Sequence, residues 1–314
     1  MPKRKDKLLS EQFYYTPESD RKYMSPSLFK ALTTCEARAM AKLCGEYEYP
    51  PMPSLLIGQY VETVLLNEDV ERFLAEHEEM FVTKLVENTD TIAKVAETNP
   101  ELVTRNLTWK PSSKNKAKEL RPDAFSIERE LRSEFTICGQ VIERAQRDKM
   151  FMDFLQGDHQ TVLTGTIDGV LWKGKTDVID VEKGRIVDLK VMADTKRRGG
   201  ISFIEAYRYD EQLAIYRLLA EKTYKQPFRC YIACVTKETP SDVVLAEVPE
   251  WRMRELEASV RDRMPHVAAV WKGEIEPEHC GMCDYCRDTK VLTHPIDFDL
   301  VGMSQSEMRS IGAA

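Results

Sequence analysis

Asp177, Asp188 and Lys190 fall within one short stretch, Lys173 to Lys190, whose pattern reads as a β-hairpin. An apolar-rich run leads into a turn at Glu182-Lys183-Gly184, and a second run continues from Arg185 to Met192. In the second run Val187, Leu189 and Val191 alternate with Asp188 and Lys190. The apolar face is expected to enter a core while a carboxylate and an ammonium share the other face. Asp177 on the first run adds a second carboxylate, and Asp180 sits on the same strand facing the opposite way. Two carboxylates and a lysine on neighbouring strands suit metal-assisted phosphodiester hydrolysis. They supply hard oxygen ligands for Mg²⁺ or Mn²⁺ and a cation beside the attacking water. Asp-x-Lys alone is a common pair, and the same side chains would equally serve as solvated residues on a half-exposed strand.

A second constellation is Cys280-Gly-Met-Cys283-Asp-Tyr-Cys286. Three thiols at two-residue spacing in a short glycine-containing loop can converge on one metal centre, with a fourth ligand from elsewhere in the chain. Iron–sulfur, Zn²⁺ and unliganded reduced thiols are all compatible with that spacing. Cys44, Cys138, Cys230 and Cys234 read as small buried hydrophobes.

The elements that must position these groups follow from the patterning. Residues 1–24 are polar and charged and read as a flexible arm. Ser25-Pro26-Ser27 opens a helix expected to run unbroken to about Leu43, and a second helix spans Leu55 to about Leu66. That second helix carries Glu62, a candidate oxygen ligand and equally a surface glutamate. Residues 67–157 read as mainly helical, with helices over Asn88–Asn99 and Ser126–Gln156 separated by a polar loop from Trp109 to Arg121. Strands begin at Thr161 and lead through the hairpin to the basic segment Lys196-Arg197-Arg198, which could contact DNA phosphates or remain a solvated loop. A helix from about Phe203 to Lys222 places Gln212 and Tyr216 on one face. Strands over 228–235 and 243–248 and a helix over 250–272 follow, and Met303 to Ile311 reads as a brief helix in a tail over 293–314.

The sequence Asp177, then Asp188 eleven residues on, then Lys190, resembles the catalytic core of the PD-(D/E)XK nuclease superfamily. Gln212-Leu-Ala-Ile-Tyr216 resembles the Gln-x-x-x-Tyr helix motif of its RecB-like branch, and the chain is most similar to phage and prophage RecE-like exonucleases over about Ser25 to Leu292. The resemblance implies an α/β restriction-endonuclease-like core, a mixed central sheet flanked by helices, with helical N-terminal additions. One nuclease domain over 25–292 would comprise a helical part (25–157), a catalytic core (158–272) and a cysteine loop (273–292). It further implies that Glu62, Asp177, Asp188 and the main-chain carbonyl of Leu189 hold Mg²⁺ or Mn²⁺. Lys190 would act on the attacking water, while Gln212 and Tyr216 would help to place the strand. Glu62 stands where the family often has a histidine. Cys35 with Cys280, Cys283 and Cys286 resembles the 4Fe–4S clasp of AddB-type and CRISPR-associated adaptation nucleases, although the downstream spacing differs and leaves Zn²⁺ as the alternative. Double-stranded DNA with free ends, an annealing protein and a second copy of the chain are the partners implied.

The chain has 314 residues, 42% hydrophobic and 31% charged, with a net charge of −7, which argues against a generic DNA-coating protein. No apolar run is long enough to span a bilayer, so no membrane association and a cytoplasmic location are expected, with eight cysteines present as thiols or ligands. Two other readings stay open: a DNA-end-binding component that has lost catalysis, and a zinc-stabilised interaction module.

Overall fold

The computed structural model describes residues 11–49, 52–87, 89–106, 108–110, 125–292, 295, 297–303 and 305–312. Its contacts divide the chain into two compact units, one formed by Met1–Leu66 with Val141–Ala314 and the other by Asn67–Gln140.

The larger unit opens with α1 (Glu11–Tyr14), α2 (Pro17–Lys22), α3 (Pro26–Thr34), α4 (Glu36–Cys44) and α5 (Pro53–Leu65). Ser25 caps α3 by accepting the Leu28 amide, and Pro26 occupies its first turn. The helix expected to run to Leu43 breaks at Cys35, whose φ of −159° and ψ of 106° are extended. Thr33 and Thr34 precede the break and turn their hydroxyls back onto the carbonyls of Phe29 and Lys30, which weakens continued helix. The break takes Cys35 off both helix surfaces.

The smaller unit contains α6 (Val70–Glu76), β1 (Phe81–Glu87), α7 (Thr89–Thr98) and β2 (Phe125–Leu131), with β1 and β2 antiparallel. Its core gathers Ile92, Val95, Leu102, Val103 and Trp109. The helix expected from Ser126 is therefore a strand as far as Leu131, and helix resumes only as α8 (Ile137–Gln146) and α9 (Lys149–Phe154). The alternation in Phe125–Leu131 is short, and pairing with β1 decides it. Of the polar loop Trp109–Arg121, residues 111–121 lie outside the described residues.

The central sheet belongs to the larger unit. Its strands β3 (Asp158–Ile167), β4 (Val170–Asp180), β5 (Arg185–Met192), β6 (Arg229–Thr236) and β7 (Val243–Val248) lie in chain order, antiparallel except for the parallel β5–β6 pair. The crossover between β5 and β6 holds α10 (Phe203–Ala206) and α11 (Tyr209–Tyr224), and α12 (Glu250–Trp271) packs against α11. This is a mixed α/β fold of the restriction-endonuclease-like kind. The chain ends with α13 (Asp284–Asp288) and α14 (Gln305–Ser310). Among the described residues no helix is long and apolar enough to cross a membrane.

The segment read as a flexible arm over residues 1–24 is anchored from residue 11 onward, while residues 1–10 lie outside the described residues. Lys173 on β4 is 1% exposed, and a buried ammonium must find partners. It donates to the Tyr14 carbonyl (2.6 Å) and the Ser19 hydroxyl (2.9 Å) and pairs with Asp20 (2.6 Å). Met24, fully buried, donates its amide to Leu171 and accepts that of Lys173, both at 2.8 Å. Apolar residues with one charged anchor thus close the sheet edge near Trp172. Lys173→Met should cost roughly 2 kcal/mol, since it strips a buried acceptor set of its donor. Limited proteolysis should then cut within residues 11–24, and unchanged protease resistance would show that apolar packing alone holds the segment.

Candidate active site and cysteine centre

The site forms where the β4–β5 ladder ends. Register runs Asp180–Arg185, Ile179–Ile186 and Val178–Val187, and no further pair follows. Beyond it Asp177 replaces a backbone partner: its Oδ2 accepts the Leu189 amide at 2.7 Å. On the other side of β4, Gln160 stands opposite Asp177 without a ladder pair and has a left-handed φ of 47°. The sheet is thereby parted on both sides of one carboxylate. N–H and C=O of a strand residue point to the same edge, so the Leu189 carbonyl also faces this opening, where it accepts Lys190 Nζ at 3.2 Å.

Asp188 is wholly buried. The Asp188–Lys190 face was expected to look outward; instead it lies under α11 together with the core residues Ile186 and Met192, while Val187 and Leu189 on the other face are buried as well. A central strand in a sheet covered on both sides has no solvated face. Asp188 Oδ1 accepts from Gln212 Nε2 at 3.0 Å, and the same amide donates to the Tyr216 hydroxyl at 3.0 Å. Gln212 and Tyr216 therefore orient the carboxylate from above. Tyr216 reaches this position because Gly174 lies beneath its ring, where a Cβ would stand 2.9 Å from Cδ1.

Lys190 Nζ lies 2.7 Å from Asp188 Oδ2 and 3.8 Å from Asp177 Oδ2. Oδ2 is buried, and the Lys190 ammonium is its close partner among the described residues. Glu62 on α5 accepts Gln160 Nε2 at 2.6 Å, and α5 packs on β5. Burial, with Asp177 close by, pushes the Glu62 carboxyl up to about 8. Complete burial does the same to Asp188, outweighing Lys190 and carrying it up to about 7, while the surrounding carboxylates hold the Lys190 ammonium well above its ordinary value. The site is short of positive charge, as a cation site should be. A buried group with more carboxylates than cations, made wholly of oxygen donors, fits Mg²⁺ or Mn²⁺. The oxygens are nonetheless more dispersed than the cysteine thiols described below, which alone among the described residues close to within 4.8 Å of one another.

Asp180, the alternative to Asp177, is engaged elsewhere: it pairs with Arg185 at 3.0 Å and receives the Lys183 amide. Lys196, Arg197 and Arg198 are exposed and loosely tied, to Glu238, to the Gly200 carbonyl and to Asp194 respectively. Sequence reasoning missed Gln160, whose backbone conformation leaves no trace in its residue type. It also missed Lys30 and Tyr209, which stand beside Lys190: the ammoniums of Lys30 and Lys190 lie 5.4 and 5.2 Å from the Tyr209 ring centroid. The lysine spacing on α3 carried no signal for that.

The cysteine centre joins the two ends of the larger unit. Cys35 Sγ lies 3.5 Å from Cys286 and 3.7 Å from Cys283, and Cys280 lies 3.9 Å from Cys286. The loop is held in place by Glu36, which accepts the Glu278 amide, and by Ala37, whose amide donates to the Glu278 carbonyl. Burial alone would raise the Cys280 thiol, but the amides of Met282 and Cys283 donate to its sulfur and bring it down to about 7. Cys286 is pushed up to about 12, by burial first. One thiol is ready to ionise, and a bound metal would have to draw protons from others. A single tetrahedral ion with bonds of ~2.3 Å sets its sulfurs ~3.8 Å apart, close to these three distances, and all four sulfurs lie within 4.8 Å of one another. A four-iron cluster, with one thiolate on each iron, spreads them to roughly 6 Å. Cys138, Cys230 and Cys234 are buried as expected, whereas Cys44 is exposed at the end of α4.

A family profile described as a PDDEXK-like domain of unknown function (DUF3799) matches residues 25–105 and 105–289. The chain belongs to this PDDEXK-like family. A solved structure named "Putative exonuclease" from Eubacterium rectale is 28% identical, covering 94% of this chain and 98% of its own, with a TM-score of 0.72. A second, SSO0001, is 14% identical over 79% of this chain and 100% of its own, and its TM-score of 0.28 bears no weight. No curated protein matches. The family match and the fold agree with the PD-(D/E)XK nuclease resemblance.

The raised Glu62 carboxyl has a measurable consequence for the metal-free PDDEXK-like protein. Its folded pKa exceeds the unfolded one, so its contribution is intact below the ordinary glutamate range and is lost as pH rises through about 8. Glu62→Gln cannot ionise. In chelator, its melting temperature should match wild type at pH 5 and exceed it by a few degrees above pH 8. Parallel melting curves at both pH values would remove Glu62 from the buried carboxylate group.

Proposed function

We propose that the protein is a Mg²⁺- or Mn²⁺-dependent deoxyribonuclease that degrades linear duplex DNA from its ends, leaving single strands for an annealing partner. The observation that carries the chemistry is the buried cluster of Asp177, Asp188 and Lys190, in which two carboxylates share one ammonium. The exonuclease reading draws support from the sequence resemblance and from the name of the Eubacterium rectale neighbour. Glu62, Asp177, Asp188 and the Leu189 carbonyl would hold the metal, which when bound supplies Lewis-acid charge at the phosphate and at the attacking water. Lys190, held by two carboxylates, is placed to orient that water and to offset charge developing on the phosphate oxygens. Gln212 fixes the Asp188 carboxylate, and Tyr216 fixes Gln212. Lys196, Arg197 and Arg198 would follow the backbone of the bound strand.

End-labelled linear duplex and covalently closed circular duplex, each with Mg²⁺ or Mn²⁺, provide the test. Linear DNA should be consumed from its ends while the circle survives. Lys190→Ala and Asp188→Ala should each fall by about 10²–10³-fold or more at unchanged melting temperature range. Equal nicking of the circle would end the exonuclease reading, and full activity in the Lys190 variant would end the catalytic assignment.

The cysteine centre is proposed as a structural metal site. Its compact sulfurs support one tetrahedral ion, zinc being the fit for four thiolates, over the 4Fe–4S cluster implied by the resemblance. Elemental analysis of protein purified without oxygen should give one zinc per chain and no sulfide. Cys35→Ser and Cys283→Ser should lose the metal and melt several degrees lower, and Cys44→Ser should do neither. Iron and sulfide at about four per chain would restore the cluster.

A further inference from the structure

Arg208 interrupts the chain between α10 and α11 in the left-handed region, with φ 54° and ψ 40°. Its guanidinium is held by Thr33 Oγ1 at 2.7 Å, by Thr34 Oγ1 at 3.3 Å, by the Lys30 carbonyl at 3.4 Å and by Glu211. The turn sets the flanking rings of Tyr207 and Tyr209 face to face, with centroids 5.7 Å apart and planes inclined by 21°. Tyr207, the outer ring, is 38% exposed, and Arg198 stands 6.0 Å from its centroid. Tyr209, the inner ring, is half-buried between Lys30 and Lys190. Lys30 donates to the Tyr207 carbonyl and makes no ion pair among the described residues. Burial first, then Arg208 and Lys190, hold its ammonium below the ordinary lysine range. Cations thus gather around a stacked aromatic pair one residue's reach from the proposed catalytic lysine.

We propose that Lys30 and the Tyr207–Tyr209 pair form a seat for an unpaired nucleotide next to the scissile phosphate, Lys30 binding the neighbouring phosphate and Tyr207 stacking on its base. The proposal rests on the nuclease reading. Bases inside a duplex have both faces covered by their neighbours, so apart from the outer face of a terminal pair an exposed tyrosine stacks on a base that has left the helix. A seat of this kind requires the strand to be separated from its complement before it reaches Lys190, and the ligand is a single-stranded end.

Binding of labelled single-stranded oligonucleotides to full-length protein carrying Asp188→Asn, which prevents turnover, tests the seat. Tyr207→Leu should weaken binding about tenfold and Tyr207→Phe should not, because phenylalanine keeps the ring. Replacing one base near the strand end by an abasic residue should weaken binding to the parent protein by a similar factor but add nothing in Tyr207→Leu. Lys30→Ala should lower the slope of log affinity against log salt by about 0.7, the loss of one single-strand phosphate contact. Equal abasic losses with and without Tyr207 would overturn the stacking, and an unchanged salt slope would overturn the phosphate contact. A parent protein that binds no DNA, and a wild type that cleaves none, would instead remove the nuclease reading beneath the proposal.

Discussion

Three carboxylates facing one ammonium inside a protein interior form the constraint around which the larger unit is arranged. With Glu62, Asp177 and Asp188 ionised against Lys190, the group is short of two positive charges. Isolated buried charge is costly, so the fold surrounds the group with donors: the Leu189 amide for Asp177, Gln212 for Asp188 and Gln160 for Glu62. Each donor has a structural cost. Giving the Leu189 amide to a side chain ends the β4–β5 ladder, and bringing Gln160 to Glu62 accompanies a left-handed residue in β3. The donors are too few, and the upward shifts of Glu62 and Asp188 measure what is left over.

Stability for this unfavourable arrangement comes from elsewhere in the same unit. A continuous apolar core runs from Phe29 and Trp172 through α11 to α12, and it buries Ile186 and Met192 on the strand that carries Asp188 and Lys190. The cysteine centre adds closure at long range, because Cys35 and Cys286 are 251 residues apart and a bond through a metal would restrict nearly the whole unfolded chain. Its position at the α3–α4 break and in the C-terminal loop also explains why the extended Cys35 matters: a helical Cys35 in an unbroken helix would be fixed to the helix surface by its neighbours.

The catalytic strand pair was legible in sequence because its chemistry and its period-two patterning coincide. Asp177, Asp188 and Lys190 could be read along with the hairpin that carries them; helical spacing put Gln212 and Tyr216 on one face, and only the resemblance to the Gln-x-x-x-Tyr motif pointed them at the site. The sequence was silent where pairing or enclosure decides. Phe125–Leu131 becomes a strand because β1 is available to pair with it, and Asp188 is buried because α11 covers its face. The anchoring of residues 11–24 depends on Lys173, a residue whose type alone predicts exposure. Lys30 and Tyr209 became visible as site neighbours only once α3 and the start of α11 were brought together.

Two donor sets of opposite character coexist in this chain, and their chemistry keeps them separate. The proposed catalytic group offers carboxylate and carbonyl oxygen only, since Glu62 stands where resembling nucleases often have a histidine. A hard, oxygen-preferring ion suits such a set, whereas a softer ion gains less from it. The cysteine set offers four sulfurs within 4.8 Å of one another and no oxygen. Histidine at position 62 would be neutral when ligating, so glutamate also adds a charge, making the shortfall two rather than one. A dication closes that shortfall in full, and the same change makes the empty site more costly. As a ligand, glutamate at this position would therefore strengthen the coupling between metal occupancy and a stable site, without placing it in competition with the thiols.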